Sequence, residues 1–196
     1  ILSTHDFEGR PADLMRRVAA LAESPSCAVA KVVWQARSLR DNLEAFDILR
    51  ARTQPMIVLC MGPFGEMTRI LAPKFGGFLT FAALAEGLET APGQPTVHSL
   101  LHTHRFESIG PATRVYGIAG WPVDASMSPQ VHNAGFDSID FDGAYLRLLI
   151  PPEWEHFKAT INAFLDHDGL DFSGMSVTMP HKEHLVRLVL EREGVL

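Results

Sequence analysis

Cysteine is scarce: Cys27 and Cys60 are the only two in 196 residues, and their separation excludes a CxxC pair, a disulfide framework and a thiolate zinc site. Excess positive charge is also lacking. Seventeen Lys and Arg stand against 23 Asp and Glu, a formal charge of -6, which leaves no electrostatic footprint for a phosphate backbone and argues against nucleic acid as a partner. No apolar run approaches the roughly 20 residues of a spanning helix. Residues 1–20 carry acids and Pro11 in place of a signal peptide. A reducing cytoplasm is the expected compartment, with a plastid as the alternative for a plant-like source. No GxGxxG occurs anywhere, so no dinucleotide fingerprint lies in this chain.

What is present is the balance of a soluble protein with a core: 46% hydrophobic and 20% charged residues. Short β-rich runs at 1–7, 28–34, 56–62 and 78–84 alternate with helical patterns at 11–23, 38–52, 64–75 and 97–104, which is a βα unit repeated four times. In the first helix Leu14, Val18, Leu21 and Ala22 share a face. Residues 56–60 are apolar at every position, as in a strand covered on both sides within a parallel sheet. Gly110-Pro111 interrupts the pattern. Strands are then expected at 115–119, 144–150 and 174–179, with helices at 128–137, 153–166 and 181–191. The expected domains are 1–106 and 114–196, joined by a linker at 107–113. Both ends of the chain fall inside the pattern, so it reads as an internal piece.

Functional groups of parallel α/β folds gather at the carboxyl ends of strands. His5, Lys31, Arg69 and Gln94 lie on or just after strands. Lys31 is the most informative, because an ammonium among Val29, Ala30, Val32 and Val33 is disfavoured by burial, and a free amine condenses with a ketone to a Schiff base. His5 is the natural proton carrier beside it. The alternative is a lysine that snorkels to solvent and a hydrogen-bonded strand-end histidine. His98, His102 and His104 raise a zinc site as another possibility, but no carboxylate or cysteine completes the set and a solvated helix face explains them.

Ser3-Thr4-His5-Asp6-Phe7, the Lys31 strand, Met61-Gly62 through Thr68-Arg69-Ile70, Phe75-Gly76-Gly77-Phe78-Leu79-Thr80-Phe81 and Ala91-Pro92-Gly93-Gln94 follow the order and approximate spacing of type I 3-dehydroquinate dehydratases, which the first half resembles. The resemblance implies the C-terminal half of a (β/α)8 barrel. It makes Lys31 the imine-forming lysine, His5 the general acid/base, Arg69 the binder of the substrate carboxylate, Thr90 and Gln94 hydrogen-bonding partners of the substrate, and Met61 and Phe81 pocket walls. Thr90 stands where serine is common in the family. The acidic and arginine residues that the family places on earlier strands are absent.

In the second half, Gly120-Trp121-Pro122-Val123-Asp124-Ala125-Ser126-Met127-Ser128-Pro129 runs from a strand into a helix. It presents two hydroxyls beside unpaired helix N-terminal amides, a place for a small carboxylate. Plain capping by Ser128 is the alternative. Gly174-Met175-Ser176-Val177-Thr178-Met179-Pro180-His181-Lys182 repeats the strand-to-helix arrangement. With His132-Asn133 and Tyr145, these motifs are similar to the substrate-binding domain of shikimate dehydrogenases. That resemblance implies shikimate carboxylate at Ser126 and Ser128, ring hydroxyls at Ser176 and Thr178, and Lys182 as the catalytic lysine, with NADP as cofactor held outside this chain and no metal. Ala125 replaces a common histidine and Ser176 a common asparagine. Dehydratase followed by dehydrogenase is the arrangement of the bifunctional shikimate-pathway enzymes of aromatic amino acid biosynthesis. The expected substrates are 3-dehydroquinate, 3-dehydroshikimate and shikimate, with these residues alone inactive and membrane partners excluded. A remnant that only binds shikimate-like acids is the alternative, and the oligomeric state is open.

Overall fold

The computed structural model describes residues 1–194; positions 195 and 196, the last of the second expected domain, lie outside the described residues. The chain divides into two compact units, Ile1–Ala112 and Thr113–Leu196.

The first unit is built from β1 (Leu2–Asp6), α1 (Leu14–Ala22), β2 (Ala30–Gln35), α2 (Asp41–Arg50), β3 (Met56–Met61) and the short α3 (Glu66–Ile70). Its sheet has the order β1-β2-β3, all parallel. β3 is buried at every position, which explains its unbroken apolar run: in a βαβ layer neither face meets water. One face carries Ala30, Val32 and Trp34 with Met56, Val58 and Cys60. Val33, Ile57, Leu59 and Met61 form an apolar cluster on the other, joined by Val29, Leu79, Phe81 and Ala91. Helix α2 buries Ala45, Phe46, Ile48 and Leu49, and Phe46 stacks on Phe75 at 3.9 Å between centroids. Its first turn is acidic, Asp41 and Glu44, and its last turn holds Arg50, a distribution that complements the helix dipole. Asp41 also accepts the amides of Arg37 and Ser38 at 2.6 and 3.1 Å.

A buried polar network sets α3 on the end of β3. Asn42, fully buried, donates to the carbonyls of Leu39 and Phe64 and accepts the amide of Thr68. The Thr68 hydroxyl accepts the Cys60 amide at 2.9 Å and donates to the Gly65 carbonyl at 2.8 Å. Buried polar groups that are this well paired specify one arrangement rather than several, and the residue they orient next is Arg69.

Three expected elements differ. The helix expected over 64–75 covers only Glu66–Ile70, since Pro73 and Gly76-Gly77 follow closely. The helix expected over 97–104 is a single π turn, Ser99–Thr103. The strand expected over 78–84 is not a strand. Phe78 makes one bond to β3, to the Met56 carbonyl, after which Ala83 pairs with Pro95 and Val97 instead.

The second unit contains β4 (Arg114–Gly120), α4 (Ser128–Ser138), β5 (Gly143–Leu149), α5 (Trp154–Asp166), β6 (Phe172–Val177) and α6 (Lys182–Arg192). Its parallel sheet has the order β5-β4-β6. Phe157, Ile161 and Phe164 of α5 are buried, with Val115, Leu146, Leu148 and Leu188 also in the core. Asn133 caps the outer edge of β5: its carboxamide accepts the Tyr145 amide at 2.8 Å and donates to the Tyr145 carbonyl at 2.9 Å. No helix among the described residues is long and apolar enough to cross a membrane.

Candidate active sites

At the carboxyl ends of β1 to β3 a cavity of about 210 Å³ is lined by His5, Lys31, Arg69, Met61, Phe81, Thr90 and Gln94, together with Phe7, Val33, Leu59 and Ala91. The register explains the gathering. Ser3 pairs with Lys31, and His5 with Val33, so residues of like parity on neighbouring strands emerge on one face. Three bases therefore share a pocket whose lining includes no acid.

The electrostatics follow from that imbalance. Burial, then the positive charge of Arg69, hold the Lys31 pKa below the ordinary lysine range. His5 is lowered by burial and by Lys31. Arg69 is 2% exposed and lowered chiefly by burial, partly offset by Cys60 and Glu66. Its Nε is buried and has no hydrogen-bond partner, a donor left for an anion. The Lys31 ammonium lies 4.2 Å from the centroid of the Phe81 ring, a cation–π contact that also fixes where the amine points.

The loop over the cavity is built in advance. Gln94 Oε1 accepts from the Thr90 amide at 2.8 Å and from the Thr90 hydroxyl at 3.2 Å, and the Gly62 amide donates to the Pro92 carbonyl at 3.0 Å. Gly93 has φ +73, and a Cβ there would land on the Gly62 carbonyl. Only glycine allows this approach of loop to strand end.

In the second unit, Ser126 and Thr178 line a cavity of about 420 Å³ with Ile118, Pro122, Val123 and Asp124. The Thr178 amide donates to the Ala119 carbonyl at 2.9 Å. A Cβ on Gly120 would meet the Thr178 methyl, so the glycine lets the two strand ends close. The Ser126 hydroxyl accepts the Ser128 amide at 3.2 Å; the N-cap of α4 is Met127, which makes no side-chain cap bond. Ser176 lines a separate aromatic cavity of about 400 Å³ with Tyr116, His132, Phe136 and Tyr145. Lys182 is exposed on the first turn of α6 and lines neither. Beside it His181 is fully buried, with Nε2 2.8 Å from the Ile150 carbonyl and Nδ1 3.1 Å from Nδ1 of His184. A carbonyl only accepts, so Nε2 carries the proton and His184 donates to Nδ1. Burial lowers the His181 pKa most.

The strand-end turns of the second unit do not fit a dinucleotide. The turns after β4, β5 and β6 carry Trp121-Pro122, Pro151-Pro152 and Met179-Pro180, where a pyrophosphate needs glycine and free amides. No group of three His, Cys, Asp or Glu among the described residues could hold a metal ion; His98 and His102 form only a tilted ring pair at 4.6 Å.

A family model described as type I 3-dehydroquinase matches residues 1–111, more than half of the chain. The chain belongs to the type I 3-dehydroquinase family. A second model, the shikimate dehydrogenase substrate binding domain, matches residues 118–193. The bifunctional 3-dehydroquinate dehydratase/shikimate dehydrogenase, chloroplastic, of Arabidopsis thaliana is 40% identical over 185 residues, 93% of this chain and 29% of its own length. The shikimate dehydrogenase (NADP(+)) of Paramagnetospirillum magneticum is 42% identical over 76 residues, 39% of this chain and 26% of its own. The solved dehydroquinate dehydratase and shikimate dehydrogenase from S. pombe AroM shares 26% identity, with 94% of this chain and 34% of that one covered at a TM-score of 0.43. The chain spans less than a third of the length of these curated relatives.

For this dehydroquinase-family chain, the seven first-unit residues that the resemblance picked out, His5, Lys31, Met61, Arg69, Phe81, Thr90 and Gln94, line one cavity. In the second unit only Ser126 and Thr178 share one. Leu59 and Ala91 went unnamed because apolar walls carry no chemical signal, although Leu59 follows from Met61 by strand alternation.

Proposed function

We propose that the chain is part of a bifunctional shikimate-pathway enzyme that dehydrates 3-dehydroquinate to 3-dehydroshikimate and reduces that product to shikimate. The observation that carries the first activity is the acid-free cavity in which Lys31, with a depressed pKa, stands with His5 and the buried Arg69. Arg69 receives the substrate carboxylate, for which its unpartnered Nε is suited. The Lys31 amine attacks the ketone, water leaves, and an iminium forms. His5 takes the proton alpha to the iminium and then gives it to the departing hydroxyl, which leaves as water. A second water hydrolyses the imine, releasing 3-dehydroshikimate and restoring the lysine. Thr90 and Gln94 hold substrate hydroxyls; Met61 and Phe81 exclude water.

In the second unit Ser126 and Ser128 hold the carboxylate of the shikimate skeleton, Ser176 and Thr178 its ring hydroxyls, and Lys182 a proton at the carbonyl oxygen. The nicotinamide belongs to residues other than those described, and no reduction step is assigned to these. We read residues 1–106 as the last part of a (β/α)8 barrel, 107–113 as a linker and 114–196 as the substrate-binding domain. Among the described residues the outer edge of β1 has no neighbouring strand, which supports the barrel reading, because closure is how parallel barrels remove such edges. The test is the appearance of the enone absorbance of 3-dehydroshikimate from 3-dehydroquinate with the full-length protein. Lys31→Met is expected to lower the rate more than roughly 10⁴-fold; a variant that keeps normal turnover would sink the assignment.

A further inference from the structure

The signal that picks out Lys31, a cation between buried apolar neighbours within a strand, recurs in β5. Arg147 stands in β5 between Leu146 and Leu148, both buried. Ile118 of β4 pairs with Arg147 on one side and with Ser176 on the other, and paired residues of a parallel sheet project from one face. Ile118 lines the cavity of Ser126 and Thr178, so Arg147 emerges on the cavity face. Its Nη2 donates to the Ser126 carbonyl at 3.1 Å, while its Nε is buried without a partner. The Ser126 hydroxyl in turn accepts the Ser128 amide. The guanidinium thus reaches the turn through its backbone and leaves both serine hydroxyls able to donate to a ligand. The one acid lining the cavity, Asp124, is exposed.

We propose that Arg147 is a positioning residue for carboxylate recognition: it tethers the turn that presents Ser126 and Ser128 and sets a fixed positive charge beneath it. This rests on the reading of those serines as the carboxylate end of the second site. A planar guanidinium bonded to a backbone carbonyl holds the turn in one place, whereas a lysine at the same position supplies charge without the fork.

The experiment compares wild type, Arg147→Met and Arg147→Lys in the full-length protein, with shikimate and its methyl ester as substrates for nicotinamide reduction. Arg147→Met is expected to raise KM for shikimate about tenfold with kcat within about twofold, the loss of the fixed positive charge beneath the carboxylate-binding turn. KM for the ester stays as in wild type, and Arg147→Lys falls between. A merely structural role would instead lower kcat and disturb both substrates alike. If Arg147→Met does not fold, Arg147→Lys decides by the same split. An unchanged KM for shikimate in the folded variants overturns the inference alone. A wild type that neither binds nor oxidises shikimate overturns the functional reading, and this inference falls with it.

Discussion

Arg69, Lys31 and His5 decide what the first cavity can hold: three bases without a lining acid repel one another and await an anion. Each has its pKa held below the ordinary value for its type, and each shift has burial as its first cause. The acid limb of the dehydratase pH profile that reports the free amine of Lys31 is therefore expected below the ordinary 10.5; a limb at that value contradicts the account. His5→Ala is expected to lower the rate by roughly 10²–10⁴-fold, measured by the enone absorbance. His181 makes a separate prediction about stability. Its folded pKa lies below the unfolded 6.5, so the unfolded chain takes up the proton first as pH falls. The contribution of the neutral, buried ring is complete above pH 6.5 and is lost below it, as the pH falls through the folded value. Denaturation midpoints should fall over that window, and His181→Gln should flatten the decline; a slope unchanged by the substitution would contradict it. Lys31 was legible in sequence because a charge inside an apolar strand demands a reason. Arg147 gave the same signal and passed unread, because no recognised motif surrounds it. Ser176 lies on the sheet face of Ile118 but lines the aromatic cavity, and Lys182 lines neither cavity; side-chain direction at a strand end and on a first helical turn is beyond sequence spacing.

At the element scale, the central strands were plain because β2 to β5 are short, largely apolar runs punctuated by a helical period, and their parallel order follows from the crossovers. The segment 78–84 reads equally well as a strand and is not one. After one bond from Phe78 to Met56, its Ala83 pairs with Pro95 and Val97, partners that no local pattern announces. The loop that covers the first cavity depends on a single backbone approach. Gly93→Ala combines a positive φ with a clash against the Gly62 carbonyl, and it should destabilise the loop by about 1–3 kcal/mol. It is expected to raise KM for 3-dehydroquinate, since Thr90 and Gln94 shift with the loop. Equal stability and equal KM would count against the tether. Phe46, fully buried and stacked on Phe75, belongs to packing: Phe46→Ala should cost about 3–5 kcal/mol in chemical denaturation.

The whole chain holds two parallel α/β units, each with its own sheet and core. In the first, β1 leaves its outer edge unpaired among the described residues, beside Leu2 and Phe7, 37% and 69% exposed. An edge of this kind recruits other strands. These 196 residues by themselves are expected to self-associate in size-exclusion chromatography with light scattering, and a stable monomer would contradict the part-barrel reading. The central claim is that Lys31 forms an imine with its substrate. Borohydride reduction of the full-length protein with 3-dehydroquinate, followed by peptide mass spectrometry, tests it most directly. A stable substrate adduct on Lys31 is the predicted result, and an unmodified Lys31 in folded protein would contradict the account.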